Sequence, residues 1–494
     1  MAGIGFELRR LRQQETISAL ASAFGHAAVV AAGPWLFTIL SLGVVTLIVE
    51  PVVGLDALAG FRIIVIYAFA VSLVLTAPVG IVATRLMADA LWLKRIDEVR
   101  PLLIGAYGAA LAAALPGAAL VALVFGLPST TALSLVAMTA TVALIWVALS
   151  FCGAVRDYRG VTVSFLAGLV VSLLLAIGAA LAGLGPEGMA AGFLAGLVLV
   201  LVGLTSRVLA TFPAPVADPL AGCRAMLDGL KRYRLLAIGA LAGTTAVWVD
   251  KWVFWFSPVG ERVDSGLIHA PLYDSAMFIS SLFIIPSLAQ FVMRLETDFF
   301  DRYQNYYGTI QAHGTLAQIE ASRQRLKATT LDHLVLITAA QVGISAVLVL
   351  AAPAIIDFLN LQFRQIAILR YGALGSVFQF VFIAATSILL FFDRRRTFIA
   401  LQLMFLGLNL GLSLATVAVG EDTYGIGYFL ACALSGFTAY ILADRTFRNL
   451  NYLTFIGNNP SVKAATSTPR RRPPGLPGML AEVVRALTSQ APRS

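Results

Sequence analysis

Long apolar runs of about twenty residues or more alternate along the chain with short segments that carry most of its charge. The runs lack the period-two alternation that a membrane β-strand of roughly ten residues would show. Each is long enough for a helix to cross a hydrocarbon core about 30 Å thick. Breaks at charged, Pro and Gly positions predict twelve spans, at 24–49, 63–84, 102–126, 130–151, 161–182, 189–206, 235–256, 270–293, 334–352, 366–392, 398–419 and 425–443. The expected fold class is an all-α polytopic membrane protein. The first run, from Phe24, lacks a small-residue cleavage site and reads as a span, not a signal peptide.

Composition agrees. The chain is 59% hydrophobic and 12% charged, against roughly 25% charged in a soluble domain, which excludes a soluble fold. Charge placement then sets orientation. With the N-terminus inside, only Arg62, Arg262 and Arg364, with Arg370 at the outer end of span 10, fall on the outside and Lys251 falls within a span, leaving the other 30 of the 35 basic residues inside. By the positive-inside rule both termini face the cytoplasm. The net charge of +9 is then topology plus attraction to the anionic headgroups of the lipid bilayer, and calls for no nucleic acid.

The Pro-rich, basic segment 211–234 reads as a cytoplasmic linker between a first half, 1–210, and a second, 235–450. Transporters are commonly built from such repeats, with the substrate site between them. Spans 2 and 8 both end in Arg-Leu-x-x-Asp, giving the pairs Arg85/Asp89 and Arg294/Asp298. An i, i+4 pair faces one side of a helix. These are either ordinary helix-end arginines or matched gating corners that touch across the halves. Segment 294–330 places Phe299, Phe300, Tyr303, Tyr307 and Ile310 on one stripe. That predicts an amphipathic helix on the cytoplasmic membrane surface, either a connector or, through Phe299, Tyr303 and Tyr307, a surface for a partner. The Arg- and Pro-rich tail 451–494 reads as disordered.

Chemistry concentrates in "AVWVDKWVFWF", where Asp250 and Lys251 sit among Trp248, Trp252 and Trp255. One charge at mid-bilayer costs about 2.5 to 3.5 kcal/mol, so these positions must be shallow, wet or partnered. Counted from the cytoplasmic end, Asp250 lies about 22 Å along the span, in its outer third. On a helical wheel Lys251 falls about 60° from Trp248 and Asp250 about 160°. The two charges are therefore expected to find separate partners. Tyr273, Asp274 and Arg370 come from other spans at matching depth. Either the tryptophans form an interfacial belt and Lys251 snorkels, or the layer lines a wet cavity where a carboxylate exchanges an ion. Indole faces also suit sugar rings.

In the first half, Gly33 and Pro34 should kink span 1, and His26 reads as a helix-end histidine before a proton relay. The three cysteines make no disulfide framework, the four histidines are isolated, and no Walker A sequence is present. No metal site or cofactor is expected.

Five stretches, "MAGIGFELRRL", "GPWL", "DKW", "PLYDSAMF" and "RLETDFFDRY", occur in order. They resemble the PelG family, the polytopic inner-membrane component of the Pel exopolysaccharide system, near the flippases of the multidrug/oligosaccharidyl-lipid/polysaccharide (MOP) superfamily. The resemblance implies two six-helix lobes around a central cavity and no enzymatic activity. It implies export, by alternating access or a gated passage, of a partly cationic, N-acetylgalactosamine-rich polysaccharide across a bacterial inner membrane. It also implies a PelF-like glycosyltransferase and PelD- and PelE-like membrane partners. Two other functions stay open: a cation-coupled small-molecule antiporter, and a scaffold of the synthase that moves nothing itself.

Overall fold

The computed structural model describes residues 37, 41–51, 54–153, 158–216 and 218–457. His26, Gly33, Pro34 and the tail beyond Gly457 lie outside the described residues.

The helices run up and down as the apolar pattern requires. They are α1 (Ser41–Pro51), α2 (Leu55–Trp92), α3 (Val99–Val124), α4 (Ser129–Cys152), α5 (Tyr158–Leu181) and α6 (Gly185–Thr211). An amphipathic helix, α7 (Pro219–Arg232), leads into α8 (Arg234–Trp255). Two short antiparallel strands follow, β1 (Glu261–Arg262) and β2 (Ile268–His269), with Glu261 opposite His269. Then come α9 (Pro271–Leu282), α10 (Ile285–Arg294), α11 (Phe300–Gln311), α12 (Leu316–Phe358), α13 (Gln365–Phe391), α14 (Arg395–Val419) and α15 (Ile426–Arg448). One end of the bundle carries the β-hairpin. The other carries α7, α11 and the first turns of α12, and is called here the basic end.

Ten helical segments among the described residues are long and apolar enough to cross a membrane, Pro271–Gln311 counting as one. Helix α8, 22 residues long, joins them as a buried element despite the polarity of Asp250 and Lys251. The turns use residues suited to them. Lys94, His313, Asn360 and Asp393 adopt left-handed backbone between helices, a region that Asn, Asp and His enter more readily than most. Thr315 and Gln318 form a reciprocal capping box that starts α12. Asp218 caps α7 by accepting from the Leu220 amide at 2.8 Å.

Small residues set the closest approaches. A Cβ on Gly168 would lie 2.7 Å from the Gly196 carbonyl oxygen, so α5 and α6 touch backbone to backbone. Gly222 brings α7 onto α3, where a Cβ would overlap the Pro101 carbonyl. The linker helix is thereby packed against the first half.

Two segments differ from expectation. The single span over 270–293 is two helices: the α-helical run stops after Leu282, and α10 restarts with Pro286 in its first turn. Proline lacks the donor that would continue the ladder. Nor is 294–330 a helix lying on a surface. Leu295–Phe299 is a π-helical turn, α11 follows, and α12 then runs without a break for 43 residues, about 64 Å. Helix α11 folds back on this extension. Phe299 is only 2% exposed and packs its ring edge-on against Phe391, 5.1 Å between centroids. Tyr306, fully buried, donates to Asn451 Oδ1 at 2.9 Å, and Lys327 pairs with Asp444 at 2.9 Å. The apolar stripe is covered by the chain itself.

Candidate functional site

The charges of α8 lie inside the second half. Asp250 is wholly buried. Its Oδ2 accepts from the Tyr273 hydroxyl at 2.9 Å and its Oδ1 from Asn409 Nδ2 at 3.4 Å. Lys251 Nζ contacts both oxygens, at 3.1 and 2.9 Å. The expectation that the two charges seek separate partners is corrected here. A wheel gives Cα directions, whereas the four-carbon lysine stem reaches back across the helix to the preceding carboxylate. The ammonium also accompanies the Tyr428 ring, 5.6 Å from its centroid, and donates to the Val247 carbonyl at 3.1 Å. Tyr428 in turn donates to Gln379 at 2.7 Å. Helices α8, α9, α13, α14 and α15 thus each contribute a polar group. A buried charge persists only when paired and hydrogen-bonded in this way.

Asp274 has other company. Its Oδ2 accepts from Trp255 Nε1 at 2.8 Å and from the Ala270 amide at 3.1 Å, while its Oδ1 is buried with no hydrogen-bond partner. Trp255 stacks on Tyr67 of α2 at 4.6 Å, and the Tyr67 hydroxyl donates to the Ile268 carbonyl at 2.8 Å. Phe125 and Phe256 stack nearby at 6.4 Å. Asp274 therefore stands beside the seam where α2 meets α8 at the hairpin end. Trp248 meets Trp255 edge-on at 6.4 Å, and its own Nε1 is buried and unpartnered. Trp252 packs half-buried against the core. Arg62 adds a guanidinium within Coulombic reach of Asp274. Burial and that same guanidinium hold the His269 imidazole below its ordinary range.

Arg370 does not join this layer. It is exposed and donates Nε to the Val349 carbonyl of α12 at 3.1 Å. It occupies the side of α13 that faces away from the layer.

The two Arg-Leu-x-x-Asp corners, both at the basic end, differ. Arg294 and Asp298 pair along their own helix at 3.1 Å, with His333 Nε2 3.5 Å from the same carboxylate. They line a polar cavity of about 580 Å³ with Arg302 and Asn305. Arg85 instead reaches the second half, and Asp89 the end of the linker. Arg85 lies 3.5 Å from Asp393, and Asp89 accepts from the Tyr233 hydroxyl at 2.9 Å. Of the aromatic stripe, Phe299 is buried and Tyr303 and Tyr307 are half-buried against α13 and each other. Phe299 offers no surface to a partner in this arrangement.

Residues 1–455 match the family described as "PelG: Putative exopolysaccharide Exporter (EPS-E)". The chain belongs to this family. It is a family of transporters, not enzymes. No curated protein matches the sequence. Among solved structures, the Vibrio cholerae MATE transporter VcmN in its bent form aligns with a TM-score of 0.58 at 15% identity, over 87% of this chain and 99% of that one. A MOP-superfamily transporter from Pyrococcus furiosus, described by the reverse polarity of its binding pocket, gives 0.56 at 16%, over 86% and 96%. The inward-facing conformation of a multidrug-resistance MATE transporter gives 0.57 at 14%, over 87% and 95%. At these identities the likeness concerns the fold: the PelG-family chain is all-helical, with the twelve-span, two-lobe architecture of the MATE transporters.

Asn409, Gln379, Tyr428, Tyr67 and Arg62 were missed by sequence reasoning. Asn409, alone in "FLGLNLGL", carried the clearest signal, since a polar amide inside a span usually faces the bundle interior.

Proposed function

We propose that the protein exports a galactosamine-type exopolysaccharide across a bacterial inner membrane, through a passage between halves 1–210 and 235–450 that opens by alternating access. On this reading the basic end and both termini are cytoplasmic. A PelF-like glycosyltransferase delivers the polymer there, with PelD- and PelE-like proteins beside it in the membrane.

The observation that carries the proposal is the seam at Asp274. Its unpartnered Oδ1, the unpartnered Trp248 Nε1 and the indoles of Trp248 and Trp255 lie together. An amino sugar needs a carboxylate for its ammonium, a donor for a hydroxyl and an aromatic face for its ring. Asp250 serves otherwise: with Lys251 on both its oxygens, it is a structural pair already neutralised. That argues against an antiporter whose coupling cation binds at Asp250, because the ammonium stands where such a cation would.

The test is polymer secretion. Asp274→Asn and Trp248→Phe should each lower secreted polymer at least tenfold at unchanged protein abundance. Wild-type secretion from both variants would remove the seam from the transport path.

A further inference from the structure

The basic end holds a closed ring of side chains joining the two halves. Helix α2 supplies Arg85 and Asp89, one turn apart. Arg85 Nη2 lies 3.5 Å from Asp393 Oδ1. Asp393 occupies the turn between α13 and α14 with φ of 53°, and Arg395 forks onto its carboxylate at 2.7 and 2.9 Å. The Arg395 guanidinium also covers the Tyr233 ring, 5.0 Å from its centroid, and Arg232 lies 5.2 Å from the same ring. Tyr233, immediately before α8, closes the circuit by donating to Asp89 Oδ2 at 2.9 Å. Two arginines and two aspartates make the ring neutral. Burial and the Asp89 carboxylate push the Tyr233 phenol up, so it remains a protonated donor.

We propose that this ring is the cytoplasmic gate of the transporter, the latch that must break before cargo enters between the halves. The inference rests on the two-half, cytoplasm-facing reading above. Its support is an asymmetry between the two ends. At the hairpin end the halves meet through stacked aromatic rings and a hydroxyl bonded to a carbonyl. At the basic end one contact of the ring crosses directly between the halves, Arg85 to Asp393, while Tyr233, the second-last residue of the linker and in contact with Arg395 of the second half, bonds to Asp89 of the first. The Arg85–Asp393 pair is exposed, with side chains 40% and 43% accessible. Exposed pairs shift an equilibrium only a few-fold each. Arg85 Nε is itself buried without a partner, so the arginine holds this position with one donor unmet. A gate that cycles needs closed contacts that are specific yet easily replaced by water, and this ring supplies them. The matching corner at Arg294 and Asp298 pairs at 3.1 Å and meets His333 of α12, within the second half. Arg85, Asp89, Tyr233, Asp393 and Arg395 are therefore gating residues, none of which needs to touch cargo.

Spin labels at Lys94→Cys and Arg396→Cys, both exposed positions at the basic end on opposite halves, report the gap in the full chain in lipid nanodiscs, in a Cys223→Ser background. One short distance should dominate. Arg85→Gln, Asp393→Asn and Tyr233→Phe should each raise the long-distance fraction about two- to tenfold. Tyr233→Phe keeps the ring between its two guanidiniums, so its effect reports the lost bond to Asp89, not a lost fold. The double variant Arg85→Gln with Asp393→Asn should open no further than the stronger single. An unchanged distance distribution in all three single variants overturns the latch. Polymer secretion bears on transport separately: cells lacking the gene that still secrete polymer sink the transport reading and leave the distances to decide the latch.

Discussion

Lys251 neutralises the carboxylate of the residue before it in sequence, both oxygens of Asp250 lying within 3.1 Å of its ammonium. The pair is buried on the aspartate side and nearly so on the lysine side, at 0% and 17% exposure. Two adjacent opposite charges thus act as one neutral, hydrogen-bonded unit inside the second half. Tyr273 and Asn409 satisfy what the lysine leaves.

Breaking such a unit from one side leaves an uncompensated buried charge. Lys251→Met should lower stability by about 3 to 5 kcal/mol. Asp250→Asn should do less harm, because the amide still accepts from Tyr273 and the ammonium sits nearer water. The double variant, Asp250→Asn with Lys251→Met, should recover most of the Lys251→Met loss. Melting of the purified protein in detergent checks the order; a double variant less stable than Lys251→Met alone would contradict the pairing.

The Trp255 indole holds Asp274 while its face covers Tyr67 of the other half. Trp255→Phe keeps an aromatic face and removes the charge-assisted bond, worth roughly 1.5 to 3 kcal/mol. Secretion should fall several-fold with little change in abundance. Tyr67→Phe, which loses only the bond to the Ile268 carbonyl, should have the smaller effect. Secretion assays on both variants, normalised to protein amount, read the difference; equal losses would show that the bond to Asp274 carries no special weight.

From Leu55 on, most span positions were legible because run length reports the thickness a helix must cross. The side that a helix turns inward was not, and Arg370 shows why. Depth alone took no account of rotation: Gln365, Ser376, Gln379 and Thr386 of α13 are buried on one side, and Arg370, on the other, leaves the bundle toward α12. Phe299 shows the converse: an amphipathic stripe announces burial without naming the cover, and here the cover is Phe391 and Phe392. Contacts over long separations, such as Asp89 with Tyr233, leave no periodic trace, so the ring at the basic end was visible only as its first two members.

Gly222 gives a steric prediction. A Cβ there would overlap the Pro101 carbonyl, backbone that cannot rotate away. Gly222→Val should push α7 off α3 and destabilise the protein by about 1 to 3 kcal/mol. Gly108→Ala, on the same helix α3 but meeting only the Cys223 sulfur at 4.0 Å, should be nearly neutral. Melting temperatures of the two variants in the same detergent separate steric overlap from a general loss of glycine.

The hairpin of α11 and α12 is held by Phe299 and Tyr306, so a change at either should loosen it before it affects any partner. Phe299→Ala removes a buried ring and should cost about 3 to 5 kcal/mol locally. Tyr306→Phe loses only the hydroxyl bonds to Asn451 and Thr454, about 1 kcal/mol. Limited proteolysis of the full-length protein, cutting in the turn 312–315, should therefore speed up strongly for Phe299→Ala and slightly for Tyr306→Phe. If Phe299→Ala left the cleavage rate at the wild-type value while abolishing capture of a glycosyltransferase, Phe299 would be a docking residue after all. The covered position of its ring argues for the first outcome: a side chain 2% exposed cannot meet a partner without first leaving Phe391.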